Sequence, residues 1–358
     1  MPFDVREFPA GDALREEDRN RRLIALWLFT LAGMIVVMVG LGGATRLTGS
    51  GLSIMEWAPV AGTLPPLSHA AWEQLFALYR SIPQYKLMNP DMDLAGFQHI
   101  FWLEYTHRLW GRLMGAVLVL PLVWFAWRRA ISGGLALRLL GLFVLGGLQG
   151  AVGWFMVASG FERDATSVSP LRLVLHLLLA LALYAGVLWT ALSVRRKRPR
   201  PGAPAGLRRL VAACAVLLTA TIAAGGLVAG THAGFEYNTF PLMDGRLVPE
   251  SYAALHPFAR NLIANLAAVQ FDHRLLATVT AVLLLATVAV GFASRPPRAV
   301  AQALAAMGVL LLAQYALGVA TLLSVVAIPI AVAHQVNAAL LLGAALVTLH
   351  QLRGEQRA

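Results

Sequence analysis

The chain has 358 residues, 58% of them hydrophobic and only 13% charged, with a mean hydropathy of +0.67. A soluble protein of this length needs far more polar surface, so a water-soluble enzyme is excluded. The single cysteine, Cys214, rules out an intrachain disulfide and a thiolate metal site, and the net charge of +11 has to be explained by where the basic residues fall.

The first stretch, "MPFDVREFPAGDALREEDRNRR", is long and polar, unlike a cleaved signal peptide. It reads as a tail over 1–22. Apolar windows long enough to cross a bilayer as helix then recur eight times, near 23–44, 100–127, 136–158, 168–194, 209–229, 269–293, 300–322 and 326–352. The fold class is an all-α integral membrane protein. Of the 29 Lys and Arg, nineteen fall in the tails and in segments near 128–138, 195–209 and 294–298, and six fall in the opposite loops. The positive-inside rule then places both termini in the cytoplasm, with "RRKRPRPGAPAGLRR" as a cytoplasmic linker and two long loops, 45–98 and 230–268, outside.

The linker, 195–208, separates two halves that echo each other, 23–194 and 209–352, leaving a short tail over 353–358. "GGATRLTGSGL" after span one matches "GGLVAGTHAGF" after span five, "EYTHRL" matches "QFDHRL", and Gln149 and Gln314 each open a Q-x-x-x-G. Two tandem four-helix bundles about a pseudo-two-fold axis along the membrane normal are expected.

Four of the nine histidines fall near the outward ends of spans, at similar depth: His107, His176, His273 and His334; His350 lies at the cytoplasmic end of the last span. Each is followed four residues later by Gly or Ala, on the same helix face, which leaves room for a flat macrocycle. A lone intramembrane histidine commonly serves as an interhelical hydrogen-bond partner. Four in a duplicated pattern point to two bis-imidazole haem sites, and no Cys or carboxylate cluster argues for zinc. Arg108, Arg112, Arg172 and Arg274 are candidate propionate partners; snorkelling to lipid headgroups is the simpler alternative.

The halves differ at one telling place. Glu104 stands three residues before His107, and Gln270 three before His273. A carboxylate beside a ring edge can take a proton or stabilise a developing cation. The alternative is an i,i+4 ion pair with Arg108. Asp272, next to His273, either orients the imidazole or closes a similar ion pair.

With "GGATRLTGSGLSIMEWAPVAGTLPP", "EYTHRLWGR", "AGFEYNTFPLMDG" and "VQFDHRLLA", the chain from about residue 40 to 340 resembles the haem A synthases, in the subtype of proteobacteria and mitochondria. The resemblance implies haem b as cofactor, its iron held by His273 and His334 in the second half. It implies a substrate haem held by His107 and His176 in the first half, with Glu104 beside the reacting C8 methyl. That methyl would be oxidised to a formyl group by two hydroxylations with water as oxygen source. The implied partners are haem O and the bilayer of the bacterial inner membrane. The haem O synthase and further copies of the chain are candidates, no nucleic acid is expected, and the sequence does not name the electron acceptor. The cysteine pair that some relatives carry in the outer loops is missing. Other readings are a di-haem b-type cytochrome for quinol-linked electron transfer, a haem carrier or insertion factor, and a transporter with a His/Glu relay. The pigment bound by the purified protein separates them.

Overall fold

The computed structural model describes residues 10–58, 61–131, 133–195 and 205–353. Most of the expected linker (196–204), the first nine residues of the N-terminal tail and residues 354–358 of the C-terminal tail lie outside them. Among the described residues, eight helices are long and apolar enough to cross a membrane. They are α1 (Ala10–Leu47), α2 (Leu94–Trp127), α3 (Gly133–Ala158), α4 (Pro170–Arg195), α5 (Ala205–Thr231), α6 (Leu266–Ala293), α7 (Arg298–Leu323) and α8 (Ile328–Gln351).

All eight expected spans are present, with ends that move for local reasons. The α1 helix starts well inside the expected 1–22 tail. Its charged first turns carry the i,i+3 pair Arg19–Glu16 (3.5 Å) and the i,i+4 pair Arg21–Glu17 (3.9 Å), so polarity there does not break the helix. The α2 helix begins at Leu94 because Asp93 caps it, accepting from Gly96 N at 2.8 Å. Asn265 does the same for α6, accepting from Ala267 N and Ala268 N.

Within each half the four helices pack first on second, second on third, third on fourth and fourth back on first. Between halves α4 packs on α5, α8 on α1, and α4 on α8. This pattern maps onto itself when each helix is exchanged with its counterpart in the other half. Each half has its own apolar core at the end away from the two long loops. Leu28, Leu139 and Val187 centre one; Leu284, Leu304, Met307 and Leu341 centre the other. Cys214 lies in the second core, its sulfur 3.2 Å from Thr287 Oγ1.

A third, aromatic core holds the 45–98 loop onto the start of α2. Two loop helices, His69–Tyr79 and Pro83–Met88, bring Phe76 and Tyr79 against Phe97 and Phe101, with Trp72 edge-on to Phe101. The loop is therefore a folded cap on its half.

The α4–α8 contact leaves no spare room. Gly343 on α8 lies against the buried Tyr184 hydroxyl of α4, so closely that a Cβ at 343 would overlap it. Gly343→Ala should lower stability by about 1–3 kcal/mol, the usual scale of overpacking. In a Tyr184→Phe background, where the obstructing oxygen is gone, most of that loss should vanish. Thermal denaturation of the four proteins in detergent reads both effects.

Candidate functional site: two histidine pairs

Charged and imidazole groups inside an apolar bundle persist only where their polar atoms have a use. His107 on α2 and His176 on α4 lie close enough to interact electrostatically, as do His273 on α6 and His334 on α8. Each pair belongs to one half, and all four rings are partly exposed.

What fixes the rings is the neighbouring odd-numbered helix. A methyl group added at Gly42 of α1 would lie 3.1 Å from His107 Cε1; at Gly153 of α3, 2.9 Å from His176 Cε1. At Gly225 of α5 it would lie 2.9 Å from His273 Cε1, and at Gly318 of α7, 3.0 Å from His334 Cε1. Real side chains do not tolerate the shortest of these approaches, so every imidazole edge rests on bare backbone. The two Q-x-x-x-G motifs acquire a meaning here, since glutamine and glycine one turn apart touch the same ring. Gln314 Nε2 sits 3.2 Å from His334 Nδ1, and Gln149 Nε2 sits 3.4 Å from His176 Nε2 while donating to the His176 carbonyl at 3.2 Å.

The Nδ1 atoms of His107, His176 and His273 are buried without a hydrogen-bond partner. Such atoms cost free energy, and a structural histidine normally pairs them. Among the described residues no group of three or more His, Cys, Asp or Glu stands poised around a metal ion. Facing imidazoles without a carboxylate suit the axial positions of haem iron and do not suit zinc. The donor set fits the expected group.

Above each pair the loop crosses as a strap, and a residue pair on the even helix staples it down. Glu104 is 2% exposed and accepts four hydrogen bonds. Two come from Arg108, Nε at 2.9 Å and Nη2 at 2.6 Å, and two from the strap, Ser53 Oγ at 2.7 Å and Ile54 N at 2.9 Å. Arg108 also donates to the carbonyls of Ile54 and Glu56. In the second half Gln270, also 2% exposed, donates to the carbonyls of Ala233 and Tyr237 and accepts from Arg274 at 3.0 Å. Arg274 donates to the carbonyls of Tyr237 and Thr239. Each strap then reaches the third helix of its half through an aromatic contact, Trp57 on Trp154 and Phe240 on Tyr315.

The ion pair weighed in the sequence for Glu104 thus exists, alongside two strap bonds. The four candidate arginines are also committed to protein groups. Besides Arg108 and Arg274, Arg112 donates to Ala58 O at 2.8 Å, and Arg172 pairs with Glu162 at 3.1 Å and lies over the Phe155 ring. Asp272 takes neither role expected of it: it accepts from the Tyr252 hydroxyl at 2.9 Å, tying the second loop to α6. The four glycines and the straps escaped the sequence reading, although Gln149-x-x-x-Gly153 and Gln314-x-x-x-Gly318 marked half of the glycines.

The profile of a family described as "Cytochrome oxidase assembly protein" matches residues 25–346. The chain is 61% identical to the "Heme A synthase" of Granulibacter bethesdensis, over 96% of this chain and 91% of that protein. It is 50% identical to the "Heme A synthase 2" of Acidiphilium cryptum, over 96% and 95%, and 48% identical to the "Heme A synthase" of Methylobacterium radiotolerans, over 94% and 92%.

The glycine contacts predict that damage stays within a half. Gly225→Val or Gly318→Val should disturb only the His273–His334 pair and whatever it ligates, and Gly42→Val or Gly153→Val only the His107–His176 pair. Low-temperature absorption and electron paramagnetic resonance of the purified variants read the ligand field of each site separately.

Proposed function

The chain belongs to the cytochrome oxidase assembly protein family, and from that premise we propose that it acts as a haem A synthase, an oxidoreductase that converts haem O to haem A. The observation that carries the detailed reading is a pair of sites alike in histidines, glycines and straps, and unlike at Glu104 and Gln270. The same packing, unchanged on exchange of the halves, supports a pseudo-two-fold axis between them.

On this reading His107 and His176 hold the substrate haem O by its iron, and His273 and His334 hold a resident haem b. The resident group, when bound, would relay electrons one at a time to an acceptor outside the chain. Oxidising the C8 methyl to the alcohol with water as the oxygen source releases two electrons and two protons. A second such step gives a geminal diol, which loses water to leave the formyl group. The protein's part is to orient the ring, limit water at the reacting edge and handle protons there. Orientation falls to the glycine-seated imidazoles, and the strap Ser53–Ala58 restricts access from the loop side. Glu104, one turn from His107, places a negative charge where positive charge develops during oxidation.

Stapling as such does not demand an acid, because an amide staples the second strap. The straps nevertheless present opposite groups. The first offers donors, Ser53 Oγ and Ile54 N, and the second offers the acceptors Ala233 O and Tyr237 O. Glu104→Gln is therefore not a plain copy of the second half, since its amide must turn a donor toward donors or toward Arg108.

The preponderance of Lys and Arg in the tails, the linker and the segments near 128–138 and 294–298 supports cytoplasmic termini in a bacterial inner membrane. Reporter fusions after Arg198 and Asp244 should read cytoplasm and periplasm respectively; the reverse would invert the assignment of the straps to the outside.

Glu104→Gln should retain the resident haem and bind haem O, yet form haem A roughly a hundredfold more slowly or worse, the usual scale for losing an acid–base group. Haem O or its hydroxymethyl product should accumulate. Ser53→Ala, which removes one strap bond and keeps the charge, separates the contributions and should cost far less. A normal rate in Glu104→Gln would leave Glu104 as a staple and nothing more.

A further inference from the structure

Arg46 is an arginine whose charge the site described above leaves unused. It lies one turn beyond Gly42 on α1, the glycine that seats His107. Its Nη1 donates at 2.9 Å to the carbonyl of Ala229 on α5, one turn beyond Gly225, which seats His273. The guanidinium therefore spans the gap between the two histidine sites at their loop-bearing end. Its Nε is buried and has no hydrogen-bond partner. Among the described residues no carboxylate pairs with it, whereas Arg108 has Glu104 and Arg172 has Glu162. The repeat does not require a cation here, for the matching position in the second half is Ala229 itself.

A part-buried guanidinium with one committed edge and one open edge calls for an anion that fills the fork, and a carboxylate matches it in shape and charge. Water would satisfy the open N–H but would not neutralise the charge. We propose that Arg46 binds a porphyrin propionate carboxylate in the seam between the halves. This rests on the two-haem reading. The chemistry is shared by the propionates of the substrate ring and of the resident ring, and the experiment distinguishes them.

The test uses the purified full chain with Arg46→Gln, which removes the charge, and Arg46→Lys, which keeps charge and loses the fork. Haem O and its propionate dimethyl ester are titrated by difference absorption, and the midpoint potential of the resident haem is measured in parallel. If the substrate's carboxylate is bound, Arg46→Gln weakens haem O binding about tenfold, the scale of one charge-assisted hydrogen bond. Arg46→Lys then restores part of that affinity, and the ester binds wild type and Arg46→Gln alike. If the resident ring's carboxylate is bound, haem O affinity holds while the midpoint potential falls in Arg46→Gln and recovers in Arg46→Lys, because a lost positive charge favours ferric iron. The proposal is overturned if neither quantity moves, or if acid and ester lose affinity equally. A wild-type protein that purifies without haem sinks the two-haem reading itself, an outcome visible before any variant is compared.

Discussion

Four imidazoles in a bilayer-sized bundle each rest on the backbone of a neighbouring helix, and the rest of the architecture follows from that contact. A Cβ at Gly153 or Gly225 would stand 2.9 Å from an imidazole carbon and at Gly42 or Gly318 3.0–3.1 Å, so any larger residue there displaces the ring. Those contacts fix the pairing of first helix with second and third with fourth in each half. They also fix where the imidazoles point. The apolar cores, gathered at the opposite end, supply cohesion without intruding on the polar sites.

The straps at the loop-bearing end are held by hydrogen bonds to Glu104, Arg108, Gln270 and Arg274. Leaving a buried charge or carbonyl unmatched costs about 1–3 kcal/mol or more, so the staples satisfy nearly every group they use. Glu104 with Arg108 and Gln270 with Arg274 solve one geometric problem with different chemistry, and each strap carries the donors or acceptors that its own staple needs. The difference between the halves therefore extends from one side chain into the strap above it. A duplicated scaffold has diverged into a site with a carboxylate and a site without one, which suits one reacting ring and one ring that passes electrons.

Much of this was legible in the sequence because hydrocarbon makes exceptions conspicuous. Spans announce themselves by length, and a histidine or glutamate inside one stands out against its neighbours. His107, His176, His273 and His334 were found that way, and the structure places them in two pairs, one per half. The glycines were not found, because Gly is common throughout these helices and nothing in the chain says which one faces an imidazole. The strap contacts of Arg108 and Arg274 were missed for a related reason, although the Glu104–Arg108 pair was among the alternatives. Their partners are loop carbonyls, which have no signature in sequence. Arg46 sorted naturally with the outer loops by its position just past an apolar run, yet α1 carries it to Leu47 and turns it toward α5. The α1 helix extends back into the charged stretch read as tail, where one i,i+3 and one i,i+4 pair sustain it.

On the proposed reading the two histidine pairs hold two chemically different haems. Acid–acetone extraction of the purified wild-type protein, with the pigments separated by chromatography and counted against protein, tests it most directly. Haem b in equal amount to a farnesylated haem, either O, its hydroxymethyl form or A, is the expected result. Two molecules of haem b per chain, or no haem at all, would contradict it.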